Sequence, residues 1–190
     1  NIQLDGYLQW VNNYIFDQQT GRNITVVSGA YPVFQYRQTR AFFQGVDLDA
    51  HIRPISVLDY HLVSAMIWAR ELPSHTYLPY IPSFRLTQSL TWKLPVWKTL
   101  QPKISLNHRF VAKQTRFNPA TDLIPFTPAA YHLMGFEASL SVPMREGMSL
   151  RMSLMGDNIL NHEYKEYTNR SRYYAHDMGR DVRFIITWNF

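Results

Sequence analysis

The chain has 190 residues, enough for one domain; 46% are hydrophobic and 15% aromatic. No run of 18 or more apolar residues occurs, which excludes a transmembrane helix, and the absence of cysteine excludes a disulfide framework or a thiolate metal site. The net charge of +5 is not gathered into a basic stripe or a recognisable module, so nucleic-acid binding is not expected.

What organises the chain is alternation of apolar and polar residues, the mark of a strand whose side chains leave opposite faces. The sequence opens on Asn1 already inside such a pattern, which reads as a processed chain or a piece of a longer one. In residues 1–16, Ile2, Leu4, Leu8, Trp10, Tyr14 and Phe16 share one face, with Gln3, Asp5, Gln9 and Asn13 opposite. Residues 17–30 are polar and predict a loop. Alternation returns over 40–52, where Phe42, Val46, Leu48, Ala50 and Ile52 oppose Asp47, Asp49 and His51, and residues 53–56 predict a short turn. Strands are then expected over 57–70, 83–94, 103–113, 131–142, 148–157 and 181–190. They are separated by a loop at 71–82, a turn at 95–102, a loop at 116–130, a tight turn at 143–147 and a long polar loop at 158–180.

The total is about eight strands of roughly ten residues, the length of a tilted transmembrane strand, joined by connections that alternate long and short. The fold class predicted is all-β, a transmembrane antiparallel β-barrel. The last strand alternates strictly, with Val182, Phe184, Ile186, Trp188 and Phe190 on one face, and stops on an aromatic residue. With Phe190 at the periplasmic rim, the loops near 17–35, 71–82, 116–130 and 158–180 are expected to be extracellular. The turns at 53–56, 95–102 and 143–147 are then periplasmic. Charged residues within the strands fall opposite the apolar face: Asp5, Asp47, Asp49, Asp59, Arg85, Lys93, Lys103, Arg109, Glu137, Arg151 and Arg183. A lysine or arginine on the lipid face at mid-membrane costs about 2–4 kcal/mol. A soluble β-sandwich also alternates, but with strands of about five to six residues.

Three stretches resemble the C-terminal part of TonB-dependent outer-membrane receptors. They are Phe34-Gln35-Tyr36-Arg37-Gln38-Thr39-Arg40-Ala41 followed by Gly45-Val46-Asp47-Leu48-Asp49-Ala50; Asp157-Asn158-Ile159-Leu160-Asn161-His162-Glu163-Tyr164; and Arg170-Ser171-Arg172-Tyr173-Tyr174 with Gly179-Arg180 and the terminal strand. The resemblance implies the last eight strands of a 22-stranded barrel, without the plug domain and the segment that meets the energy-coupling partner. It implies active import of a scarce nutrient such as a ferric siderophore, haem or a metal across the outer membrane of a Gram-negative bacterium. The implied partners are outer-membrane lipid and lipopolysaccharide, the TonB complex through the absent plug, the barrel-assembly machinery and a small nutrient ligand. The terminal strand resembles a barrel-assembly signal through Arg183, Trp188 and Phe190, although Ile185 stands where glycine is usual. The alternative is a free-standing eight-stranded barrel serving as an anchor or adhesion protein.

No nucleophile turn of the Gly-x-Ser-x-Gly kind is present, and no catalytic residues, enzymatic activity or cofactor are expected. Among the seven histidines, His51, His61, His108 and His132 lie in strands without metal-ligand spacing and read as lumen or interface residues. His162, Glu163, His176 and Asp177 share one loop and are candidate metal ligands. Arg85, Arg109 and Arg151, with Lys93, Lys103 and Lys113, make the inner wall basic, which suits an anionic cargo or pairing with a plug. Tyr164, Tyr167, Tyr173 and Tyr174 are candidate ligand contacts in the loop. Tyr14, Phe16, Trp68, Phe84 and Phe110 read as an outer aromatic girdle, and Trp92, Trp97, Trp188 and Phe190 as an inner one.

Overall fold

A computed structural model of the chain describes residues 1–95, 99–144 and 147–190. It contains one eight-stranded antiparallel sheet in the order β1-β2-β3-β4-β5-β6-β7-β8, each strand paired with its neighbours in sequence. The strands are β1 (Ile2–Val26), β2 (Gly29–Ile55), β3 (Leu58–Glu71), β4 (Arg85–Lys93), β5 (Gln101–Val111), β6 (Tyr131–Pro143), β7 (Ser149–Asp157) and β8 (Asp181–Asn189). The sheet is open: β1 and β8 pair on one side only. Trp97 and the middles of the turns 95–102 and 143–147 lie outside the described residues.

From β3 to β8 the pairing runs without a register shift, and the strands fall where alternation predicts them. One row shows how the apolar residues line up: Tyr60, Leu90, Leu106 and Phe136 stand opposite one another across four strands. Because cross-strand partners share a face, this register puts the predicted apolar sets of β3 to β8 on the same side. That side is left bare by the rest of the chain. Trp10, Phe184 and Trp188 are 64%, 63% and 61% exposed. Burial of one such side chain is worth about 1.5–3 kcal/mol, and a monomer in water rarely leaves so wide an apolar patch uncovered.

The first hairpin departs from expectation. Residues 17–30 are not a loop: β1 and β2 are 25 and 27 residues long and continue as a paired ribbon to a tight turn at Val27-Ser28, with Val26 opposite Gly29. Polar residues fill 17–23, and an irregularity in the pairing between Gln19 and Asn23 parts the short alternation at Ile24 and Val26 from that of the strand before it. A second correction concerns Tyr14 and Phe16. Between the pairs Val11–Ala41 and Tyr14–Thr39, the two residues Asn12 and Asn13 oppose Arg40 alone. This β-bulge, with Asn13 at φ 62, reverses the faces beyond it. Ile15 therefore continues the exposed apolar face, and Tyr14 and Phe16 turn to the other side. There Phe16 packs in the core with Ala41, Ala69, Leu78 and Ile81, instead of forming part of a girdle.

This core lies at the end of the sheet where the long connections gather. Gln114, just beyond β5, is buried and joins two of them: its Nε2 donates to the Ile81 carbonyl at 2.6 Å, while Thr127 donates to its own carbonyl at 2.7 Å.

The apolar face has one polar seam. Tyr60 Oη donates to Gln88 Oε1 at 2.7 Å, Gln88 Nε2 meets His108 Nδ1 at 2.9 Å, and His108 Nε2 meets His132 Nδ1 at 3.0 Å. The four residues come from β3, β4, β5 and β6 in turn. His108 and His132 thus lie on the apolar side, while His51 and His61 form a cross-strand pair on the polar one.

Candidate functional site: a polar-face cavity beneath the last loop

The connection from β7 to β8 folds back over the polar face. Two asparagines in the stretch Asp157–Tyr164 shape it. Asn158 and Asn161 have φ of 46 and 52, a conformation that asparagine tolerates because its short side chain bonds locally. Asn158 Oδ1 accepts from the His162 amide at 2.8 Å, and its Nδ2 donates to the carbonyls of His162 at 2.9 Å and Met178 at 3.3 Å. Asn161 Oδ1 accepts from the Arg180 amide at 2.9 Å. The two legs of the loop are thereby clamped together at its base. Gly135 lets β6 and the end of β7 sit close beside the clamp: a Cβ there would lie 2.9 Å from the Gly156 carbonyl oxygen. A cavity of about 250 Å³ remains between sheet and loop. Its lining includes Thr87 of β4, Asn107 and Arg109 of β5, and Asn158, Tyr164 and Met178 of the connection.

The three inner-wall arginines are not equivalent. Arg85 reaches Glu166 at 3.4 Å and Arg151 reaches Glu137 at 2.7 Å. Arg109 has no carboxylate within 4.0 Å among the described residues, and it lines the cavity beside Tyr164. Burial, and then the charge of Asp177, raise the Tyr164 phenol above its ordinary pKa, while Arg109 pulls it back down. Asp157 also lines the cavity, with its carboxylate paired to Arg183, so the site offers one arginine without a carboxylate partner, a neutral phenol, two amides, a hydroxyl and one carboxylate that is already neutralised. That set can hold an anionic or strongly hydrogen-bonding group.

The other loop tyrosines have different surroundings. Tyr167 is buried, and its phenol is pushed up to about 12 by that burial and then by the charge of Asp122. Tyr173 donates to Asp122 Oδ1 at 2.6 Å and meets Tyr80 at 3.1 Å. Both stack on the guanidinium of Arg172, which binds Asp122 at 2.5 Å and donates to the Tyr167 carbonyl at 3.0 Å. Nothing in the sequence pairs Asp122 with Arg172, because they lie in different loops. Their types and loop positions were legible, but their meeting was not. Tyr174 alone of the four stays mostly exposed.

The candidate metal ligands are not assembled into a site. Among the described residues no group of three or more histidine, aspartate or glutamate side chains lies close enough to hold an ion. Asp177 uses both oxygens on the loop itself, accepting from the Glu166 amide and from Asn169 Nδ2, each at 2.7 Å. His162, Glu163 and His176 point to solvent as exposed residues. In β8, Arg183 pairs with Asp157 and Asp181 on the polar face, whereas Trp188 and Phe190 are exposed, their rings 6.4 Å apart.

No protein-family model and no curated protein sequence matches this chain. Solved structures do. The copper transporter OprC superposes with a TM-score of 0.73 at 18% identity, over 98% of this chain. The fold is that of a partial membrane barrel. The chain spans only 27% of the length of that transporter.

Proposed function

We propose that this chain is the C-terminal part of the barrel of a TonB-dependent outer-membrane receptor that imports a scarce nutrient. What supports this reading most is the open sheet itself. Its apolar face is uncovered, its two outer edges lack partners, and its whole length follows about a quarter of a transporter. A continuous apolar face suits lipid, and an unpaired edge strand calls for a further strand. Plug domain, energy coupling through the TonB complex and the remaining strands of a 22-stranded barrel belong to the intact receptor in this reading. Its place is the outer membrane of a Gram-negative bacterium. The polar face then lines the lumen, and Arg183, Trp188 and Phe190 serve barrel assembly.

The cavity under the last loop is the cargo contact we assign to this segment. Arg109 supplies the charge, Tyr164 a hydroxyl and a ring, and Asn107 and Thr87 further hydrogen bonds. The cargo group it fits is anionic, as on a ferric siderophore. A charge-assisted hydrogen bond contributes about 1.5–3 kcal/mol, or roughly 10–100-fold in affinity. In the intact receptor, Arg109→Gln is expected to weaken binding of an anionic chelate by that factor. Arg151→Gln, which removes a paired arginine, should change it little. Isothermal titration of the purified receptor with a ferric chelate panel measures both. Equal loss in the two variants would discard the Arg109 site. Absence of energised uptake of any member by cells carrying the receptor would count against the transport reading.

A further inference from the structure

Most arginines on the polar face and in the loops have a carboxylate: Arg53 with Asp59, Arg85 with Glu166, Arg151 with Glu137, Arg172 with Asp122, and Arg183 with Asp157. A small group on the opposite side does not. Arg40 of β2 and Arg70 of β3 project from the apolar face, since Arg70 stands opposite Phe42 and Arg40 is two residues beyond it in the same strand. Both are exposed. Arg116, in the connection after β5, reaches the same place by lying over the Trp68 ring, 5.2 Å from its centroid. Tyr77 sits within this group. The guanidinium of Arg70 lies 5.2 Å over its ring and its Nη2 reaches the Tyr77 hydroxyl at 3.5 Å. Among the described residues none of the three arginines has a carboxylate within 4.0 Å. Arg22, Arg109 and Arg180 share that condition, but they lie in the ribbon, the cavity and the last loop.

Position gives these three charges their meaning. Trp10, Phe42 and Trp68 form an aromatic row on the apolar face, with the first two rings 4.9 Å apart. One pleat further toward the long connections, about 7 Å along the strand, Arg40 follows Phe42 in β2 and Arg70 follows Trp68 in β3, which sets Arg70 beside Phe42. Aromatic rings of this kind sit at the membrane interface, and the layer directly outside them holds lipid headgroups. Guanidinium groups bind phosphate through paired, planar hydrogen bonds. Arg116 adds a second sign of a missing anion. Its Nε is buried without a hydrogen-bond partner, and its Nη2 reaches only the Ile67 carbonyl, at 3.5 Å.

We infer that Arg40, Arg70 and Arg116 form a binding site for the phosphate of an outer-leaflet lipid headgroup, held above the Trp10–Phe42–Trp68 row. This rests on the membrane reading above and adds a lipid to it. The site takes a lipid-borne phosphate, because the aromatic row below it needs acyl chain on its exposed faces.

The test uses the intact receptor reconstituted in nanodiscs that contain either a phosphorylated glycolipid or the same lipid after phosphatase treatment. Native mass spectrometry counts lipid retained after detergent release. Wild type is expected to retain the phosphorylated lipid at least about tenfold better than the dephosphorylated one. Arg40→Gln/Arg70→Gln/Arg116→Gln is expected to lose that preference, and Arg22→Gln/Arg180→Gln to keep it. Inorganic phosphate at millimolar concentration should not displace the lipid. Equal retention of both lipids by an inserted wild type, or an unchanged preference in the triple variant, overturns the site alone. Displacement by inorganic phosphate shows a simple anion site and overturns the lipid assignment. Failure of the wild type to insert removes the membrane reading and the site with it.

Discussion

Asp122 and Arg172 are each 2% exposed at the side chain, so their ion pair is held out of water. Such a pair is costly to assemble and costlier to break, because loss of one member strands the other charge. The neighbours of this pair are arranged for it: Tyr173 donates to the second carboxylate oxygen, and Arg172 stacks between the rings of Tyr167 and Tyr173. Arg170 extends the cluster to the first hairpin through Asp17 and lies 4.9 Å over the Tyr80 ring. The network thus fastens three long connections and the ribbon of β1 and β2 to one another. Asp122→Asn is expected to cost about 3–5 kcal/mol locally, leaving Arg172 uncompensated. Hydrogen exchange should then rise across residues 158–180 and 112–130 while the amides of β4 to β7 stay protected. Uniform loss of protection would show that the cluster supports the sheet instead of the loops.

At the scale of elements, the bulge at Asn12-Asn13 decides which side of β1 meets the core. Inserting one residue between Arg40 and Ala41 gives Asn12 and Asn13 a partner each, so β1 alternates without a break and Phe16 should swing out onto the apolar face, away from Leu78 and Ile81. A tryptophan at position 16 reports the change. Its fluorescence should resist lipid-borne quenchers in the parent and respond to them in the insertion variant; the same response in both would dismiss the bulge as the determinant. The bulge also marks where reading from sequence fails. β3 to β8 were legible because their apolar residues keep to one face and their polar residues to the other, so residue types alternate with the pleat. Tyr14 and Phe16 continue that alternation in sequence, yet one extra residue reverses their faces without altering composition. The ribbon over residues 17–35 was illegible because residues 17–23 are polar and the irregularity between Gln19 and Asn23 parts Ile24 and Val26 from the alternation before them. In the cavity, Arg109 and Tyr164 could be nominated from type and position. Their difference from Arg85 and Arg151 depends on which carboxylate lies nearby, a matter of three-dimensional neighbours.

The whole molecule is a curtain of eight strands with two free edges, and the free edges govern how it should behave alone. Residues 1–190 refolded in detergent without further strands are expected to associate edge to edge into a range of sizes, because β1 and β8 expose unpaired backbone. Analytical ultracentrifugation measures this. A single heat-resistant monomer would instead favour the closed, free-standing barrel. Across the middle of the curtain runs the seam Tyr60–Gln88–His108–His132, and its hydrogen bonds have a direction. The Tyr60 hydroxyl is given to the Gln88 carbonyl, leaving the Gln88 amide to donate to His108 Nδ1. A neutral His108 must then carry its proton on Nε2 and pass it as a hydrogen bond to His132 Nδ1. Each of these side chains alone would be an error on a lipid-facing wall, where an unsatisfied polar group costs several kcal/mol. Together they partner one another along the row from Tyr60 to His132, but only when four strands stand in one register. A slip of a single residue turns every member to the wrong side and orphans all of them at once. The seam thus works as a checksum on strand alignment: four polar letters written across β3 to β6 that agree in the correct fold and in no neighbouring one.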